Sequence, residues 1–189
     1  SLTNHWALYR RTYGNPQTTK VDFEVKFQRQ LDGAAPAIYQ LAAEEMAVFC
    51  LVSFEGAIGS KRKHEMVSEI LAWGGVGEPI PEEIEASFKT GLVHPGTAYN
   101  TRKPFQLWFL LDFVRTIKKL PIEEREKTLR DPVRLRELMF SLEPNSAQTM
   151  QEALLHLVLP DHFEAITSRD DKKALIEALG SPVSDGSLD

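Results

Sequence analysis

Few segments of this chain restrict its fold as much as "PFQLWFLLDFVRTIKKL", residues 104–120. Phe105, Leu107, Trp108, Phe109, Leu110, Leu111, Phe113 and Val114 cover nearly the whole circumference of a helix, so this helix must be surrounded by other elements. The apolar run here, like the one near residues 46–54, is about half the length that a membrane-spanning helix requires. The expectation is therefore a central helix in a globular domain, with no membrane span.

The remaining patterns supply helices to pack around it. Ile38, Leu41, Ala42, Met46, Phe49, Cys50 and Phe54 recur at helical spacing, with Glu44 and Glu45 on the other side. Gly56 and Gly59 break that helix. Ser60 is expected to cap the next one, which carries Met66, Val67, Ile70, Leu71 and Trp73 and closes at Gly74-Gly75. Pro79 and Pro81 open a further helix with Glu82-Glu83 at its positive end. Pro121 and Asp131-Pro132 start two more, and two others are expected at about 147–159 and 168–179. Val21, Phe23, Val25 and Phe27 alternate as a strand would, but the following "QRQL" favours a helix capped by Asp22.

At 189 residues the chain suits one domain. The expected fold class is all-α: a single compact multi-helix domain of about eight to ten helices. It occupies residues 21–180, after an irregular aromatic segment at 1–20 and before a linker or frayed tail at 181–189. The N-terminus lacks the pattern of a secretory signal, and the lone Cys50 lies in an apolar run as a small buried hydrophobe. Both features suit a reducing, cytoplasmic setting.

The most chemical-looking stretch is "LLHLVLPDHFEAITSRDDKKALIEAL", residues 154–179. A metal site there would use His156, Asp161, His162 and Glu164. However, six residues separate the histidines and Pro160 interrupts the helix between them, so they do not share the i, i+3 or i+4 spacing of one helix face. Ser168 and Asp171 instead have the form of a capping box. "GAIGSKRK" has neither the glycine spacing nor the final hydroxyl of a phosphate-binding loop. A nucleophile elbow, paired zinc cysteines and a Cys-His dyad are absent from the sequence, and no cofactor is expected. Glu44-Glu45 and Glu82-Glu83 are adjacent in sequence and do not converge on one face.

The formal charge of −5 excludes a uniformly basic coat but allows a local basic face. Cations cluster at Lys61-Arg62-Lys63, Arg102-Lys103, Arg10-Arg11 and Lys118-Lys119, each readable as a solvated helix end. The loop "GLVHPGTAYNTRKP", residues 91–104, adds Thr97, Tyr99, Asn100 and Thr101 beside the central helix. Such groups suit phosphate or base contacts. Tyr99 packing inward, with Asn100 or Thr101 capping the next helix, is the structural alternative.

Four segments carry a resemblance: "QLAAEEMAVFCLVSF", "KRKHEMVSEILAW", "GLVHPGTAYNTRKPFQLWFLLDFVR" and "LLHLVLPDHFEAITSRDDKKALI". Together they are similar to the N-terminal region that precedes the AAA+ motor in McrB-type restriction subunits. The resemblance implies a non-catalytic front domain of a larger chain, partnered by that motor and by a separate nuclease subunit. It further implies DNA recognition, which some such domains achieve by flipping a modified base. On that reading Lys61, Arg62, Lys63, Arg102 and Lys103 contact phosphates, and Tyr99 or Asn100 lies nearest a base. The competing expectation is a helical protein-interaction or spacer module of the same assembly, without DNA contact; a stand-alone enzyme is a third class that no motif supports.

Overall fold

Among the described residues, 22–144 and 146–180 of the computed structural model, ten helices and no strand are found. The all-α expectation holds. The segment at 1–20 and the tail at 181–189 lie outside the described residues. The order is α1 (Phe23–Leu31), α2 (Pro36–Val52), α3 (Ser60–Trp73), α4 (Glu82–Phe88) and α5 (Thr97–Thr101). Then follow α6 (Lys103–Lys119), α7 (Ile122–Arg130), α8 (Pro132–Ser141), α9 (Gln148–Val158) and α10 (Arg169–Ala178).

Hydrophobic periodicity decides which helices are central. α2 packs against α3, α4, α6 and α9, and α6 lies between α2 and α9. Ala42, Phe49, Cys50 and Val52 of α2 are fully buried, as is Leu107 of α6. α7 and α8 pair with each other, and α8 joins the body through α9. No helix is long and apolar enough to cross a membrane among the described residues.

Local boundaries follow backbone chemistry. Asp131 accepts from the backbone amides of Val133 and Arg134, and Ser168 accepts from that of Asp171, the Ser168 half of the expected capping box, whereas Asp22 stands at the start of α1 without a side-chain cap hydrogen bond. Ser60 does not cap α3. Gly59 holds the cap position, and the Glu55 carboxylate reaches forward to the amide of Ser60 at 2.7 Å. A carboxylate satisfies these exposed donors and also favours the helix dipole.

Residues 91–104 are more ordered than a loop. The Tyr99 ring stacks on Phe49 with centroids 4.5 Å apart, and its hydroxyl donates to the Phe49 carbonyl at 2.9 Å. Anchoring this side chain in the core winds 97–101 into the short helix α5. Neither Asn100 nor Thr101 caps α6: the Thr101 hydroxyl donates back to the carbonyls of Thr97 and Ala98.

One close approach ties this segment to α2. Ser53 and Val93 form a parallel bridge, and the amides of Leu92 and Val93 both donate to the Val52 carbonyl. Gly91 makes the approach possible with φ +64°, and a Cβ there would sit 2.1 Å from the Ser53 carbonyl oxygen. Gly33 also has positive φ, +72°, but has open space around it. Gly33→Ala should therefore cost about 1 kcal/mol from the left-handed backbone alone. Gly91→Ala, which adds a backbone clash, should cost about 3 kcal/mol or more in urea unfolding; equal losses for the two variants would contradict this account of the turn.

Candidate functional site

The fold brings two of the expected basic clusters together. Their meeting point is Glu24 on α1. Its Oε1 lies 3.4 Å from Arg62 Nη2, at the start of α3, and 3.1 Å from Lys103 Nζ, at the start of α6. Arg62 also faces Glu65 at 3.6 Å and Glu69 at 3.5 Å, and Lys61 stands 4.0 Å from Glu65. Lys61, Arg62 and Lys103 thus meet three carboxylates, Glu24, Glu65 and Glu69, so the cluster carries little net charge.

Burial sharpens the contrast. The Lys103 side chain is only 14% exposed, and its ammonium lies 4.8 Å from the centre of the Phe23 ring. Burial pushes the Glu24 carboxyl up, but Lys103, a backbone hydrogen bond and Arg62 together hold it below the usual carboxylate range. That balance favours an ionised Glu24, which keeps both cations engaged.

Lys63 is fully buried. Its ammonium donates to the Ser53 carbonyl and, at 2.8 Å, to the Phe88 carbonyl. These carbonyls lie at the C-terminal ends of α2 and α4, where unpaired oxygens and the helix dipoles favour a cation. Burial draws the Lys63 pKa below the usual lysine range, partly offset by Cys50 and Glu55. As it stands, Lys63 has no surface with which to touch a phosphate.

Tyr99 is similarly unavailable, being 1% exposed, and burial raises its phenol well above the ordinary value. Asn100 is half-buried, with its Oδ1 buried and without a hydrogen-bond partner. Arg102 is exposed and forms no ion pair among the described residues. Of the residues expected at a DNA surface, Arg102 and Lys61 are therefore the most accessible cations.

The other chemical candidates have structural partners. His156 Nδ1 lies 2.6 Å from the Phe163 carbonyl oxygen, and no grouping of three histidine, cysteine or carboxylate residues able to hold a metal occurs among the described residues. Cys50 is fully buried, and burial pushes its thiol up to about 12 despite Lys63, Lys103 and Arg62. A thiol so far from ionisation is a poor nucleophile at neutral pH.

Two surface features escaped the motif-based reading. An apolar pocket of about 270 Å³ lies between α2, α3 and residues 78–84. Separately, α10 leaves Leu175, Ile176 and Leu179 exposed and buries none of its residues. The signals were present as helical periodicity on α2 and α10, but periodicity alone does not say which apolar positions remain uncovered. No protein-family model, curated protein or solved structure matches the chain.

Lys63→Met should strand the Ser53 and Phe88 carbonyls and lower stability by about 2 kcal/mol or more in urea unfolding; an unchanged midpoint would mean that these bonds contribute nothing. Cys50 contributes to the alkaline behaviour beside the buried Tyr99, whose raised phenol acts in the same direction. Its unfolded thiol ionises near the ordinary 9.0 while the folded thiol keeps its proton to about 12, so the unfolded state binds fewer protons in that window. Stability should then fall as pH rises, with Cys50 contributing up to about 1.4 kcal/mol per pH unit. Cys50→Ala should flatten the dependence, and an identical slope would show that the thiol is not held protonated.

Proposed function

We propose that this chain is a non-catalytic helical module that docks to protein within an NTP-driven, McrB-type restriction assembly, and that it does not itself read DNA. The observation that carries this reading is the internal engagement of the expected phosphate contacts. Lys63 bonds two carbonyls in the core, Lys103 and Arg62 share Glu24, and Tyr99 is locked against Phe49. Phosphate binding draws its free energy from cations that can displace condensed counterions, and cations already held by carboxylates supply less of it. The assembly itself enters through the resemblance of the four segments to the region before the AAA+ motor.

Those segments form α2, α3, α5–α6 and α9–α10, which include the packed centre of the domain. The exposed apolar residues of α10 support the same reading, because apolar side chains grouped on one surface favour protein contact.

Titration of the chain with duplexes carrying cytosine, 5-methylcytosine, 5-hydroxymethylcytosine or N6-methyladenine, at low and moderate salt, tests the proposal. The expected outcome is no preference for any modification, with any residual low-salt binding lost at moderate salt in the wild type and in Lys61→Ala/Arg62→Ala/Arg102→Ala alike. Selective binding of one modified duplex, abolished by that triple variant, would overturn the docking reading in favour of DNA recognition.

A further inference from the structure

The pocket and the bare helix described above have complementary chemistry. Ala47, Val48 and Leu51 of α2, Leu71 of α3, and Ile80 and Ile84 supply apolar walls to the pocket. Since a dry cavity of about 150 Å³ accepts a benzene-sized group, 270 Å³ has room for about two branched apolar side chains. Its rim is acidic. Glu44 and Glu78 line the opening, and neither forms an ion pair among the described residues. Gln40 donates to Glu44 at 3.1 Å, while its own Oε1 is buried without a hydrogen-bond partner. The opening thus presents acceptors and negative charge around an apolar floor, which suits an apolar side chain with a cation beside it and disfavours phosphates and fatty carboxylates.

α10 offers that combination. Lys172, Leu175, Ile176 and Leu179 recur at i, i+3, i+4 and i+7, forming one stripe. Lys172 is held by the nearly buried Glu152 at 2.7 Å, whereas Leu175, Ile176 and Leu179 are 43%, 57% and 76% exposed. The first turn is therefore anchored and the rest of the stripe continues beyond the anchor without cover. Lys173, exposed and unpaired among the described residues, flanks Ile176. No residue of α10 lines the pocket of its own chain.

We propose that the occupant of the pocket is α10 of a second copy of this chain, with Ile176 and Leu179 on the apolar floor, Leu175 against its edge and Lys173 at the Glu44–Glu78 rim. The contact joins two different surfaces and is heterologous, so successive copies add head to tail and form a ring or an open filament according to the rotation between them. The area is small, and the expected isolated affinity is weak, with a Kd on the order of 0.1 mM. Tethering copies in one assembly would raise the effective concentration and make the contact significant.

The inference extends the docking reading proposed above and rests on it. Sedimentation equilibrium of the full 189-residue chain tests it with two surface variants. Ile176→Glu disables the donated helix, and Glu44→Lys/Glu78→Lys disables the receiving rim; all three positions are solvent-exposed and tolerate substitution without loss of core packing. The wild-type chain should self-associate with rising concentration, and each variant alone should raise the Kd about tenfold or more. An equimolar mixture of the two variants should recover a 1:1 complex, because one keeps a good helix and the other a good pocket, and addition must stop there. A wild-type monomer at about 1 mM, undiminished association of either variant, or a mixture that stays monomeric would each overturn the proposal. These failures would leave the docking reading intact, since selective DNA binding is what overturns that reading.

Discussion

A buried ammonium organises this fold. Lys63 rises from α3 into the core and holds the last carbonyls of two other helices, α2 and α4, which would otherwise end without partners. A cation taken out of water is tolerated only where oxygens replace its hydration, and two helix C-termini supply both the oxygens and a negative potential. Around this point the chain makes its closest backbone approaches, with Gly91 against Ser53 and the bridge between Ser53 and Val93. The polypeptide from the end of α2 to the start of α5 is thereby drawn into one closed unit beside the central helices.

The same interaction accounts for what was hard to read in advance. Helix existence was legible because the apolar spacing of α2, α3, α6 and α9 is a local property of the chain. Turn chemistry at Asp131 and Ser168 was equally local and emerged as expected. The role of Lys63 was not legible, since "KRK" is the same tripeptide whether its last member faces solvent or two carbonyls, one of which lies 25 residues downstream. Tyr99 presents the same difficulty: its partner carbonyl is 50 residues away, and only tertiary packing converts a polar loop into α5. Glu55 displaced Ser60 as the effective cap of α3 because a longer acidic side chain could reach the exposed amide.

Cation clustering in a sequence is thus a poor measure of surface potential. Arg62 and Lys103 come from segments far apart in the chain and meet on a single carboxylate of α1. Their neutralisation is three-dimensional, and counting charges within a window of sequence misses it.

α10 shows how unevenly a small domain can distribute its adhesion. The helix buries none of its residues, and its hold on the body runs through Arg169 and Lys172, both on Glu152, with Arg169 also reaching Gln151. Because Glu152 is buried, these ion pairs are shielded from dissolved ions far better than pairs on the open surface. The hold of the last helix is therefore concentrated on one carboxylate, so the state of Glu152 decides the reach of the C-terminal end while the core stays as it is.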